Sequence, residues 1–478
     1  MSDVLKDEAE VARHYAWFAR MWVIAGLFHV VNQISWPSKP WEPTATQVVL
    51  ELLMVAVGAW VFRRPRQAAP FVAFLVLEFA HGLRDIPRVA NHWYITFLMV
   101  SAMLASAVSA WNAGPRFTVA GWFRRFAPGA RWLLLICYAF AAWAKLNTDF
   151  MDPEVSCAST LWRRIGAEWL HGLPQGAVFD QIAIWTTIVV ELAVPVALLS
   201  TRYRHLVFLL AVPFHYLISF TPVLRVPDFA SLLIASWFLF LPPAVPARMS
   251  ARLQELREVG PWLTPGWAAA GALALHLVVF AGLAASGQFI PSDWFQTLRL
   301  NAFTFYGLGV FVLVVLSLRD PAGEVEAMPD ALRLRSRVHG ALIAVALLSG
   351  LSPYLGLRGR ANFSMFSNLR TEDHRPNHVL MPQLYLTDDQ LDLVEIVSTD
   401  IRQVRDETAN GYRLAWWELR QYARRFPEAA ITWRRNGEER SVTRAADDAE
   451  LSAPMPLWEP WLLAFRPVDP GGASACQW

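Results

Sequence analysis

One lysine, Lys145, ends an apolar run that begins near Arg131 and holds no other charge, and Asn147 and Asp149 follow it in YAFAAWAKLNTDF. An ammonium inside a hydrocarbon layer costs on the order of 3 kcal/mol or more, so such a residue faces a bundle interior, snorkels to the interface or takes part in chemistry. Other apolar stretches carry titratable groups of their own: Glu78 and His81 in LEFAHGL, His92 after Asn91 in NHWYITFLMV, His215 in PFHYLISF and Tyr354 in LSPYLGL. A lysine grouped with imidazoles in a low-dielectric cavity is an acid–base set, because desolvation favours a free amine and histidine donates or accepts near neutral pH. Each histidine also has a structural alternative, a helix-to-helix hydrogen bond, which suits His29, His205 and His276 best. His81 with Glu78 supplies only two metal ligands, and no metal is expected.

The elements that would position these groups are membrane helices. The chain has 478 residues, 55% of them hydrophobic, with 23 Trp, 29 Phe and a mean hydropathy of +0.30. That is too apolar for a soluble protein of this size. Stretches of about 20 apolar residues mark spans, expected at 15–36, 46–62, 69–85, 91–111, 130–147, 178–199, 204–220, 228–242, 265–286, 300–318 and 338–355. The expected fold is therefore an all-α polytopic helix bundle of about eleven spans with a small C-terminal soluble α+β domain. Residues 1–14 form a cytoplasmic amphipathic lead-in, 15–355 the membrane domain and 356–478 an extracytoplasmic domain. Arginines crowd alternate loops, as at Arg63, Arg64 and Arg66, then Arg116, Arg124 and Arg125, then Arg202 and Arg204. The positive-inside rule then puts the amino terminus in the cytoplasm and the carboxyl terminus outside, in a plasma or inner membrane. With that phase Lys145, His92, His81, Glu78, His215 and Tyr354 all fall at the outer ends of their spans, as one outward-opening pocket requires.

Between Asp152 and Gly172, Trp162, Ile165 and Trp169 share a face at helical spacing, which predicts an interfacial amphipathic helix over about 155–170. It could serve as a lid or as an anchor. In the tail, QLDLVEI reads as helical, YRLAWWELRQYARRF as a second helix, and Asn436-Gly437 as a type I′ hairpin turn. Gly307 in GLGV reads as close helix packing. The cysteines, Cys137, Cys157 and Cys476, have no metal-ligand spacing. The topology puts the last two on the oxidising side and leaves a bridge between them open. The 42 basic and 40 acidic residues nearly cancel, so nothing in the charge points to a nucleic-acid partner. No Walker loop or dinucleotide fingerprint is present.

NHWYITFLMV, YAFAAWAKLNTDF, FHYLISF, and SPY followed by NFSMFSNLRTEDHRPNH resemble, in order, the motifs of the horizontally transferred transmembrane (HTTM) domain family, best known for vitamin K-dependent gamma-glutamyl carboxylases. The resemblance covers roughly residues 10–380, with the AKLN and NHWY blocks its most specific parts. It implies a carboxylase or epoxidase, of lyase or oxygenase type. The cosubstrate would be a reduced quinone (vitamin K or menaquinone hydroquinone), used with O2 and CO2 on the outer side. By the same resemblance Lys145 deprotonates the hydroquinone, His92 stands next to the glutamate, and Asn91, His215, Tyr354 and His81 belong to the pocket. The partners implied are membrane lipid, the quinone and a peptide or protein acceptor. The tail is shorter than the carboxylases' lumenal region, so a propeptide-docking surface does not follow.

A competing reading is a non-catalytic membrane module that binds quinone or lipid, or that assists export or processing, on the same fold. A transporter is disfavoured, because it calls for a midplane site on broken helices and often for inverted repeats, and neither is found.

Overall fold

The computed structural model describes residues 2–34, 45–85, 91–112, 117–168, 171–200, 202–219, 226–259, 294–318, 331–456, 458–474 and 476. Helices dominate: α1 (Ser2–Ile34), α2 (Ala45–Arg63), α3 (Ala68–Asp85), α4 (Asn91–Asn112), α5 (Val119–Ala144), α6 (Thr148–Met151), α7 (Cys157–Glu168), α8 (Ala177–Leu199), α9 (Val207–Ser219), α10 (Pro227–Phe238), α11 (Ala244–Val259), α12 (Trp294–Leu318) and α13 (Arg337–Leu351). Every expected span coincides with a helix except 265–286, which lies outside the described residues together with His276. Six of these helices are long and apolar enough to cross a membrane: α2, α4, α5, α8, α12 and α13. The chain is a membrane protein on that evidence, with six such helices among the described residues, which leave out the expected span at 265–286.

Two of the expected spans are short helices. α9 and α10 have 13 and 12 residues and rise roughly 20 Å at about 1.5 Å per residue, less than the bilayer's hydrocarbon core. α10 is buried along nearly its whole length, so protein and not lipid surrounds it. α1 is unbroken from Ser2 to Ile34, so the residues before the first expected span are helical and continuous with it.

α5 is the central helix. Its apolar window is 78% buried, against 28% for α2 and 33% for α8, which turn residues such as Leu52, Trp185 and Val189 outward. Thr118 caps α5, its side chain accepting from the Gly121 N–H, the usual way a helix start satisfies a free donor. Phe18, Trp22, Phe71, Trp122 and Phe126 fill the space among α1, α3 and α5. Gly307 leaves no room for a side chain against Tyr216, as expected for close packing of α12 on α9.

The tail holds a four-stranded antiparallel sheet in the order β2-β1-β3-β4, from β1 (Leu393–Thr399), β2 (Arg413–Ala415), β3 (Ile431–Arg435) and β4 (Glu438–Val442). QLDLVEI is therefore not helix: its last four residues, from Leu393, open β1 and its first three form the turn before it. Val394, Ile396 and Val397 favour extended backbone, and Val394 is buried under the sheet-packed helix Trp416–Arg425. That helix covers the expected stretch from Trp416 onward, while Arg413–Ala415 before it form β2. The β3–β4 turn is as expected, with Asn436 at φ 52° and Gly437 at φ 83°.

Candidate functional site

Lys145 is the cap residue just past α5. The chain turns sharply there because Asn147, fully buried, is held by several side-chain hydrogen bonds. Its Oδ1 accepts from the Phe150 N–H (2.8 Å), starting α6, and its Nδ2 donates to the carbonyls of Ala144 (2.7 Å) and Ser367 (2.6 Å). Residues 146–148 also pair with 377–379, through Thr148 N to Asn377 O and Val379 N to Leu146 O, both 3.0 Å. With the backbone so held, the Lys145 side chain turns inward and is 3% exposed. Snorkelling is excluded by that burial. Nζ donates to the carbonyls of Ala141 (3.2 Å) and Met365 (2.9 Å) and lies 2.7 Å from Glu191 Oε2.

Met365 is delivered by an unusual loop. Ala361, Phe363, Phe366 and Asn368 all have φ between 48° and 67°, the left-handed region that costs non-glycine residues about 1–3 kcal/mol each unless the surroundings compel it. Asn368 shows the compulsion: its Nδ2 donates to Val155 O and Ser474 O, and its Oδ1 accepts from the Cys157 N–H. Asn91 contributes from below, its Oδ1 accepting from the Asn362 N–H at 2.8 Å.

Lys145 and Glu191 stand on the wall of a partly open cavity of about 340 Å³ lined by α5, α7, α8, α9, α10 and the Met365–Phe366 loop. The rest of the wall is largely apolar, with Ala158, Leu161 and Ile165 of the interfacial helix α7 forming one side. α7 is thus a wall of the cavity. Trp169, expected on its apolar face, lies outside the described residues. Two polar groups join the ion pair. The His215 Nδ1–H donates to Ala211 O at 2.8 Å, which leaves Nε2 to accept from the Tyr138 hydroxyl at 3.5 Å.

His92 is elsewhere. Its Nε2 lies 3.3 Å from Asp228 Oδ2, an oxygen that also receives the Trp93 indole N–H at 3.3 Å and lies 3.8 Å from His29 Nδ1. His81 belongs to this second group, its ring 5.0 Å from that of His29 and its Nε2 4.0 Å from Glu51. Glu78 accepts from the Trp22 indole at 2.8 Å. The Phe229 ring separates the two groups, 5.6 Å from His92 and 5.8 Å from His215. Tyr354 is buried beside Ala144 and Leu369, its ring edge-on to His378 at 5.3 Å, and does not line the cavity. The expected single pocket is thus two neighbouring polar groups. Lys145 and His215 share the cavity, His92 and His81 lie behind Phe229, and Asn91 and Tyr354 support the loops above. No group of three His, Cys, Asp or Glu side chains among the described residues could hold a metal ion.

Sequence reasoning missed Glu191, Tyr138 and Asp228. Glu191 carried the same signal as Lys145, a lone charge in the apolar run from Ile182 to Leu199.

Cys157 and Cys476 form a disulfide, joining α7 to the end of the tail. The Asp149 carboxylate reinforces the junction by accepting from the Ser474 N–H at 2.6 Å. Comparison with protein-family models, with curated proteins and with solved structures returns no match.

Proposed function

We propose that the cavity binds a membrane-dissolved reduced quinone and that the Lys145–Glu191 pair takes the proton from its ring hydroxyl, opening oxidation of the quinol by dioxygen in a vitamin K-dependent carboxylase-like enzyme of the HTTM type. The observation that carries this reading is the buried ion pair set in the wall of an otherwise apolar cavity among membrane helices. The volume suits a small aromatic head group, and a charged pair inside a membrane protein is characteristic of function. The bound quinol would supply the reducing equivalents. For Lys145 to accept a proton, its own must move first, and Glu191 Oε2 at 2.7 Å is the adjacent acceptor. The carbonyls of Ala141 and Met365 hold Nζ in place during that exchange. Tyr138, paired with Nε2 of His215, supplies a hydroxyl to orient a second polar atom of the ligand.

Carboxylation of an acceptor such as a glutamate would need the second group, where Asp228 orients His92 behind Phe229. The eleven-span topology, with the amino terminus cytoplasmic and residues 356–478 outside, is supported by the loop arginines and by the Cys157–Cys476 bridge, since disulfides persist in oxidising compartments.

One observation favours the non-catalytic alternative. Nζ donates to the Met365 carbonyl of the loop and to Ala141 O of α5, with Glu191 alongside, an arrangement that can serve to clasp the loop onto the bundle. Extraction of lipid from protein purified out of native membranes separates the two. A quinone recovered with wild type and lost from Ala183→Trp, which fills the cavity, supports the enzyme; ordinary phospholipid alone in both supports the module.

A further inference from the structure

The segment following His378, VLMPQLYL, is extramembrane in sequence position yet shows its apolar side chains to the outside. Leu380, Leu384 and Leu386 are 63%, 55% and 65% exposed, and Val379 is exposed beside them. Such a run in water would be an aggregation liability. Its backbone fixes where it lies. Val379 N donates to Leu146 O, two residues past α5. Leu384 N donates to Tyr354 O at 2.7 Å and Leu386 N to Leu355 O at 3.0 Å, and Leu355 is the last residue of the apolar span that begins at Arg337. The exposed leucines are thus stapled at the level where two membrane helices end. Leu347 and Leu348, a turn or two earlier in that span, are exposed in the same way and face lipid.

A second apolar projection lies near the same end. Trp458, Trp461 and Leu462 are exposed, and their turn is tied to the residues just past the span by Arg358 Nη1 to Trp461 O and Gly359 N to Ala464 O. Tryptophan at the ends of spans sits at the head-group level.

We infer that the tail domain does not stand clear of the membrane but lies on it, with Leu380, Leu384 and Leu386 entering the adjoining leaflet of the bilayer and Trp458 and Trp461 resting at its interface. The occupant of this apolar face is lipid, because the face continues the lipid-facing surface of the span to which it is bonded. The inference does not depend on the quinol reading. Its consequence is local: the same segment carries the pairing with residues 146–148 that fixes the turn after Lys145.

The test places an environment-sensitive nitrobenzoxadiazole probe on Leu384→Cys, and separately on Arg440→Cys in the exposed β3–β4 hairpin. Both proteins are reconstituted in phosphatidylcholine vesicles with and without shallow nitroxide-labelled lipid. The expected result is a blue-shifted probe at 384, quenched several-fold more than the probe at 440. Water-like emission at 384 with no excess quenching would overturn the inference. So would efficient bismaleimide cross-linking between two chains of the unlabelled Leu384→Cys protein through that position, which would assign the face to a second copy.

Discussion

Nζ of Lys145 stands 2.7 Å from Oε2 of Glu191, the two side chains only 3% and 12% exposed. They come from helices nearly fifty residues apart in sequence, and each is the lone charge of its apolar run. Taking two charges out of water is costly, and their attraction repays it only where further hydrogen bonds complete the shell, as the carbonyls of Ala141 and Met365 do for the lysine.

The pair should therefore behave asymmetrically on substitution. Removing one partner, as in Glu191→Leu, leaves a buried ammonium and should cost about 3–5 kcal/mol. Replacing both, as Lys145→Met with Glu191→Leu, should restore most of that loss. Thermal unfolding of the three purified proteins in one detergent checks it; a double variant no more stable than the single would show that the two groups are not coupled.

His378 should make stability pH-dependent. The Nε2–H donates to Trp143 O at 2.9 Å, and Nδ1 accepts from the Leu380 and Met381 N–H groups at 3.1 and 2.9 Å. A proton on Nδ1 would face two donors. Burial holds this imidazole's pKa below the ordinary value, against an opposing contribution from the Trp143 carbonyl. The folded form thus favours the neutral ring, and the unfolded chain binds the proton more readily. The stabilisation is present above the unfolded pKa of about 6.5 and is lost as pH falls through the lower folded value. The wild-type unfolding midpoint should drop over that acid range, and that of His378→Gln, which keeps a donor and an acceptor but does not titrate, should drop less. Parallel curves would remove His378 from the explanation.

The Cys157–Cys476 bridge closes a span of 319 residues. Its loss through Cys157→Ser should destabilise the protein by about 2–5 kcal/mol and free the tail from the α7 wall of the cavity. Thiol titration of denatured wild type should give one free group before reduction, Cys137, and three after. Three before reduction would mean the bridge does not form.

Much of this arrangement was legible in the residues. The helix positions followed from apolar runs, the hairpin from Asn436-Gly437, and the importance of Lys145 from its isolation. What local pattern could not give was partnership across the bundle. Nothing near Lys145 in sequence announces Glu191, and nothing near His92 announces Asp228, 136 residues away. The shared depth assigned to His92 and Lys145 did not distinguish one cavity from two groups divided by the Phe229 ring. QLDLVEI failed for the opposite reason: leucine and glutamate favour helix weakly, and sheet pairing with β2 and β3 overrode them.

The most direct test of the proposed chemistry is quinol oxidation by purified, reconstituted Lys145→Arg protein whose fold is verified by its intact disulfide and unfolding midpoint. A guanidinium can hold charge and carbonyls but does not give up its proton in the working range. If Lys145 and Glu191 exchange the proton that opens the reaction, turnover should fall by about 100-fold or more, the usual loss when a general base is removed. Turnover near that of wild type in well-folded Lys145→Arg protein would contradict the assignment and leave Lys145 as a structural clasp on the Met365 loop.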